Sequence, residues 1–257
     1  MWGLAVLIYG FMKILTWKVR RTTAAPFWKH LAYLLAWPGM DVDAFLNGRS
    51  ARRPLAAEWS FAACKTALGV VLLVVVCPAV AEFGANAIGW TGMLGIVFAL
   101  HFGLFHLLSC LWRMLRIEAR PIMNWPIIAQ SLADFWGHRW NLAFRDLTNR
   151  IVFRPLARPL GASTAMLVGF VGSGLIHDLV ISVPAGGGYG LPTLYFTLQG
   201  FAVVAQRSSW SSWHHRTTGV RGWLVTAGVL VLPCPLLFHP WFVQGVMAPF
   251  IQTMRIV

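Results

Sequence analysis

The sequence predicts an all-α, polytopic integral membrane protein, and three observations carry that prediction. Hydrophobic residues make up 58% of the 257 positions and charged residues only 11%, under half the roughly 25% of an ordinary soluble domain. Only 8 acidic residues are present, too few to solvate the surface of a compact domain this long. Several apolar runs reach or approach the ~18 residues that a bilayer-crossing helix needs. These features exclude a soluble globular protein and a disordered one. They leave a single transmembrane domain over residues 1–257, without internal repeats.

About seven crossings are expected, with interfacial or re-entrant pieces between them. The first runs from Gly3 to Trp17, interrupted by Lys13 and closed by Lys18, Arg20 and Arg21. The aromatic run Phe27 to Trp37 ends at Pro38-Gly39 and is too short to cross, so it reads as interfacial or re-entrant. Ser60 to Ala81 and Ala87 to Trp112 form the second and third crossings, and a long basic segment follows from Arg113 to Arg158. The fourth is Leu160 to Val183. Gly186-Gly187-Gly188 then turns the chain into the fifth, Leu191 to Gln206. Trp223 to Phe238 and the shorter Trp241 to Met254 complete the set.

Charge orients the bundle. Lys18 to Glu58 holds seven Lys/Arg, Arg113 to Arg158 holds eight and Arg207 to Gly222 holds three, whereas the alternate connections hold none. Basic loops collect on the cytoplasmic side, so these three segments face the cytoplasm. The N-terminus then lies outside or in a lumen, and Arg255 lies inside. The same rule accounts for the net charge of +13, which no zinc-ligand set or RNA-binding signature accompanies, so nucleic acid is not an expected partner. Cys64, Cys77, Cys110 and Cys234 lie in or beside apolar runs without CxxC spacing and read as small buried residues. No basic stretch precedes the first apolar run, so no cleavable leader is expected.

Ionisable residues inside a membrane are functional candidates. They are His101 and His106 in the third crossing, and His177 with Asp178 in the fourth. A charged Asp at mid-span costs about 2.5 to 3.5 kcal/mol on the insertion scale, so Asp178 must meet a polar cavity or other helices. A histidine that merely bridges two helices is the plain alternative for His177. Spacing of four places Gly169, Ser173 and His177 on one helical face, a groove of small residues leading to an imidazole. Asp178, about 100° around the helix from His177, is poorly placed to orient that ring.

A second constellation lies in Ser131–Asn141. Ser131 and Asp134 resemble a capping box. A helical period beyond them predicts one amphipathic helix at the cytoplasmic boundary. Its polar stripe is Asp134, His138, Asn141, Arg145 and Asn149, and its apolar stripe is Leu132, Trp136, Trp140, Ala143, Leu147 and Ile151.

The string SLADFWGHRWN, the following TNRIVFRPL and the intramembrane GSGLIHD together resemble the wax-synthase branch of the membrane-bound O-acyltransferases. YLLAWPGMDVDAFL (Tyr33 to Leu46) is similar to that branch as well. Asp178 stands where the family more often has Glu. The resemblance implies the family's fold and transfer of an acyl group from acyl-CoA, as co-substrate, to the hydroxyl of a fatty alcohol, sterol or terpenoid. It implies His177 and Asn141 as the catalytic pair. His177 would act as general base, and Asn141 would bond the histidine, the acceptor or the developing oxyanion. Substrate contacts are expected from Asp134, Trp136, Arg139, Trp140, Arg145, Ser173 and Asp178. The eight basic residues of Arg113–Arg158 are all arginine, which forks onto phosphate, so some are candidates for the phosphates of coenzyme A.

No bound cofactor or metal is expected. Partners are acyl-CoA, a lipid alcohol and membrane lipids, and the host membrane is a bacterial inner membrane or the endoplasmic reticulum. The sequence leaves the oligomeric state open. Two other readings remain. One is a non-enzymatic carrier or channel subunit with His177 and Asp178 on a polar path. The other is a di-iron desaturase or hydroxylase drawing on His101, His106 and the pair His214-His215. That one lacks HxxHH, because Ser211 and Ser212 occupy the place of its first ligand.

Overall fold

The computed structural model describes residues 2–21, 24–47, 51–207 and 219–254. Ser211, Ser212, His214, His215 and Arg255 lie outside the described residues. Among those residues the chain is helical, with no strand. In order the helices are α1 (Trp2–Lys18), α2 (Phe27–Ala36), α3 (Val42–Asn47), α4 (Ala56–Ala79) and α5 (Ala85–Met114). The basic segment then folds as α6 (132–139) and α7 (142–160). The last four are α8 (Ala162–Ala185), α9 (Leu191–Arg207), α10 (Gly219–Leu237) and α11 (240–253).

Four of these, α4, α5, α8 and α10, are long and apolar enough to cross a membrane. The other three expected crossings are also helices: α1 and α9, of 17 residues each, and α11. Large apolar side chains stand exposed along them, including Val70, Val74 and Val75 on α4, Leu94 and Leu104 on α5, and Leu175 and Leu179 on α8. Such surfaces suit hydrocarbon, where the helix satisfies its own backbone groups. Burial is expected of all four cysteines, and it holds for Cys77 and Cys110, whereas Cys234 is half-buried and Cys64 is exposed on α4. A small apolar thiol on a bilayer-facing surface needs no protein cover.

Small residues set the helix contacts. A Cβ at Gly69 would lie 2.1 Å from the Ala99 backbone, and one at Gly103 would lie 2.3 Å from Thr66. α4 and α5 are therefore pressed backbone to backbone, as small residues permit in membranes. The α-helical pattern of α10 is interrupted at Leu232-Pro233, where Pro233 lacks the N–H that the Val229 carbonyl would otherwise accept. Two residues of α9 compensate. Gln199 Nε2 donates to Val229 O at 2.8 Å and the Tyr195 hydroxyl to Leu230 O at 3.2 Å.

Lys13, which interrupts the first apolar run, is buried rather than lipid-facing. Its amine lies 3.4 Å from the centre of the Tyr33 ring and bonds Gly39 O. Tyr33, Trp37 and Phe45, from the run too short to cross and from α3, form a buried cluster with Ala143 and Leu147 of α7. This cluster holds the first turns of α7 against the N-terminal helices.

Candidate active site

One correction concerns the element that presents the site. The single amphipathic helix expected from Ser131 onward is two helices, broken at Trp140-Asn141. Ser131 does cap the first, its hydroxyl accepting from the Asp134 amide at 3.0 Å. Trp140 is then extended, and Asn141 sits in the left-handed region at φ 41° and ψ 61°. The cause is competition for backbone groups. Asn124 donates to Arg139 O at 2.8 Å and, through its side chain, to His138 O at 3.1 Å, while Ile122 O accepts from the Leu142 amide at 2.9 Å. With these groups taken the helix cannot continue, and Asn tolerates the left-handed turn better than most residues.

The break turns Asn141 into the N-cap of α7. Its Oδ1 accepts from the Phe144 amide at 3.2 Å, so the acceptor end of the amide is engaged and Nδ2 remains as a donor. α7 then presents Asn141, Arg145, Thr148 and Asn149 to a partly open cavity of about 270 Å³. Of the polar stripe expected at the cytoplasmic boundary, Asn141, Arg145 and Asn149 line this cavity, whereas Asp134 and His138 do not.

α8 forms the opposite wall with Ala165, Gly169, Ser173 and His177, four residues at spacings of four on one face. His177 Nδ1 lies 2.7 Å from the Ser173 carbonyl. A carbonyl only accepts, so Nδ1 carries the proton and Nε2 keeps its lone pair. The ring rests on Phe196 of α9 at 4.4 Å between centroids and meets the Phe144 ring edge-on at 6.4 Å. Trp136 and Trp140 close the cavity beside Phe170, and Arg207 joins Arg145 in its wall.

Six of the nine residues singled out in the sequence therefore share one cavity: Trp136, Trp140, Asn141, Arg145, Ser173 and His177. Asp134, Arg139 and Asp178 do not line it. Asp134 and Arg139 pair with each other across the wide last turn of α6. Asp178 accepts from Ser182, Gly190 and Thr193. Of the eight arginines from Arg113 to Arg158, Arg145 is the one in the wall, and it also pairs with Asp146 at 2.9 Å. Burial pushes the Asp146 carboxyl up to about 6. Arg113, Arg120 and Arg150 are bound to Glu58, Glu118 and Asp43.

Sequence reasoning missed Phe144, Thr148, Arg207 and Phe196. The first two follow by helical spacing once α7 is known to start after Asn141. Phe196 carries no local signal, because its role arises only where α9 packs on α8.

The other intramembrane histidines form no joint site. His101 packs on Phe105 with Nδ1 buried and unbonded. His106 lies between Lys65, 2.7 Å from Nδ1, and Glu58, 3.0 Å from Nε2. Glu58, His106 and Cys110 bring ligand atoms within 4.8 Å of one another. However, Lys65 and Arg113 already occupy the imidazole and the carboxylate there. Two cations in place make this a poor cation site.

Residues 119–199 match a family model described as the membrane bound O-acyl transferase family. A probable long-chain-alcohol O-fatty-acyltransferase 9 of Arabidopsis thaliana is 32% identical over 143 residues, covering 50% of this chain and 41% of the relative. The long-chain-alcohol O-fatty-acyltransferase of Simmondsia chinensis is 38% identical over 73 residues, 25% of this chain and 21% of that protein. Acyl-CoA--sterol O-acyltransferase 1 of Arabidopsis thaliana is 35% identical over 92 residues, 33% of this chain and 27% of the relative. The chain spans less than half the length of these relatives. The matched residues 119–199 hold Asn141, His177 and most of the cavity wall, so the similarity to the membrane bound O-acyl transferase family falls on the candidate site.

Proposed function

We propose that this protein transfers an acyl group from acyl-CoA to the hydroxyl of a lipid alcohol, a fatty alcohol, sterol or terpenoid, to form an ester. The observation that carries the reading is the meeting of His177 and Asn141 in one cavity, with Nε2 of the imidazole left as a lone pair. In this reading the alcohol oxygen attacks the thioester carbonyl and its proton passes to His177 Nε2. The carbon–sulfur bond then breaks, and the proton goes on to the departing coenzyme A thiolate. General base help of this kind is worth typically 10²–10⁴-fold. Asn141 Nδ2 is suited to donate to the oxygen on which negative charge develops.

The shape of the cavity supports the donor. From Ala165 to His177 the α8 wall rises through twelve residue steps, about 18 Å at 1.5 Å each. Gly169 and Ser173 are small residues in this wall, and a Cβ at Gly169 would come within 2.9 Å of Thr148 on the facing helix. Arg145 and Arg207 supply positive charge in the wall for the phosphates. The apolar walls from α6, α7, α8 and α9 limit the water that reaches the thioester.

Orientation belongs to the same proposal. The basic segments Lys18–Glu58 and Arg113–Arg158 face the cytoplasm, so coenzyme A is met from that side. In a background lacking the native cysteines, a cysteine introduced at Gly187 should react with an impermeant thiol reagent in intact cells, and one at Ala157 should not. The functional test is incubation of the purified protein with radiolabelled acyl-CoA and a panel of lipid alcohols. Labelled ester is the expected product. Hydrolysis alone, or no consumption of acyl-CoA, overturns the reading.

A further inference from the structure

The reaction above uses His177 and leaves its neighbour without a task. Asp178 follows His177 in the chain, yet both its oxygens are spent on protein groups. Oδ1 accepts from the Ser182 hydroxyl and from the Gly190 amide, each at 2.8 Å. Oδ2 accepts from the Thr193 amide at 3.1 Å and from the Thr193 hydroxyl. Gly190 and Thr193 stand at the start of α9, where amides have no partner within the helix. A carboxylate from α8 thus caps α9, and its negative charge complements that helix end.

Ser182 extends the contact further. Its oxygen lies 3.2 Å from His239 Nε2, and His239 Nδ1 accepts from the Phe242 amide at 3.2 Å. Nε2 therefore carries the proton and donates to Ser182, whose own proton goes to Asp178. His239 is fully buried. Gly188, at φ +73°, covers its ring so closely that a Cβ would fall 2.5 Å away. The end of α8, the glycine loop, the start of α9 and the start of α11 are joined in one clasp.

We propose that Asp178 is a positioning residue for His177, acting by fixing α9 against α8. This rests on the acyl-transfer reading of the cavity. Thr193, which the carboxylate holds, packs its backbone on Gly174, where a Cβ would come within 2.5 Å of Thr193 Cα. About one turn further along α9 is Phe196, on which the His177 ring rests, and Val203 and Arg207 continue the cavity wall. The register of α9 on α8 therefore sets both the platform under the imidazole and the width of the chamber. Asp178 governs that register without touching the ring or the substrate.

The test uses Asp178→Asn and Thr193→Val in the full chain, with two readouts. Misplacement by about an ångström costs up to ~10²-fold in turnover. Asp178→Asn should accordingly lower kcat roughly tenfold or more while KM for acyl-CoA stays within about twofold. Thr193→Val should act in the same direction and less. The ¹⁵N imidazole resonances of His177 should shift in both. Asp178→Glu, which keeps the charge, should recover part of the lost kcat. A raised KM at unchanged kcat would assign Asp178 to substrate contact and overturn the proposal. Unshifted His177 resonances in Asp178→Asn would overturn it whether or not the wild type forms ester. A wild type that forms no ester, with shifted resonances in the variant, refutes acyl transfer and retains the clasp. Should Asp178→Asn fail to fold, Thr193→Val carries the same two readouts.

Discussion

His177 and His106 both interrupt long apolar helices, and their surroundings differ in one decisive respect. His106 has both nitrogens committed, to Lys65 and to Glu58, and Arg113 completes the network on the carboxylate. His177 commits one nitrogen, to the Ser173 carbonyl, and its ring borders a cavity. Polar groups buried in a membrane need partners, and an imidazole with both nitrogens committed to Lys65 and Glu58 serves to hold α4 to α5. A half-satisfied imidazole beside open space has a lone pair left for chemistry. A histidine in an apolar span is thus only a starting point, and the count of its remaining lone pairs separates the two roles.

The largest expected effect that would break this comparison is at His177. His177→Ala should lower ester formation by roughly 10²-fold or more, with a folded protein that still binds acyl-CoA, as read by single-turnover kinetics and isothermal titration. Near-normal turnover in a folded variant would place His177 in the same class as His106. Asn141→Ala comes next. Loss of the Nδ2 donor should lower kcat by on the order of 10²-fold, and loss of the α7 cap should cost about 1 kcal/mol of stability. Asn141→Asp separates the two effects, because it keeps the capping oxygen and removes the donor. Its melting temperature should stay near the wild type's while its turnover falls.

Glu58→Gln sharpens the other side. Glutamine removes the charge and offers one acceptor oxygen where Arg113 and His106 now share two, which should cost about 1–3 kcal/mol by thermal unfolding in detergent. Turnover per folded molecule should be unchanged. A Glu58→Gln protein that is stable and inactive would overturn the division.

The smallest effect is a pH dependence beside the cavity. Asp146 pairs with Arg145, and burial raises its carboxyl from 3.8 to about 6. The folded state therefore binds the proton more tightly than the unfolded state does. Stability from this group is present below the unfolded pKa and is lost as pH rises through about 6. Asp146→Asn removes the dependence, so the melting temperature of the variant relative to the wild type should rise between about pH 4 and 6. A constant difference across that range would show that Asp146 titrates alike in both states.

Much of this was legible before any fold was known. The membrane class follows from 11% charge and 58% hydrophobic residues, because burial in hydrocarbon acts on composition alone. Ser131 as a cap was readable because capping is local, set by a hydroxyl three residues from the amide it accepts. The α8 face was readable for the same kind of reason. A helix repeats every 3.6 residues, so Gly169, Ser173 and His177 had to align wherever the helix lay.

Asn141 shows where local reasoning stops. Nothing within a few residues of it forbids a continuous helix from Ser131 onward. The break comes from Ile122 and Asn124, which reach the backbone of 138–142 from outside the helix. Asp178 stops it again, since an acidic residue beside a buried histidine reads as substrate contact until Gly190 and Thr193 are seen to hold it. The sequence by itself determined the all-helical class, the apolar runs, the Ser131 cap and the residues sharing a helical face, all of which depend on neighbours within about two turns. Only the tertiary structure decided which polar groups are used up by distant partners and which border the cavity. Bonds such as Asn124 to His138, Thr193 to Asp178 and His239 to Ser182 join residues 14, 15 and 57 positions apart, and no local period encodes them.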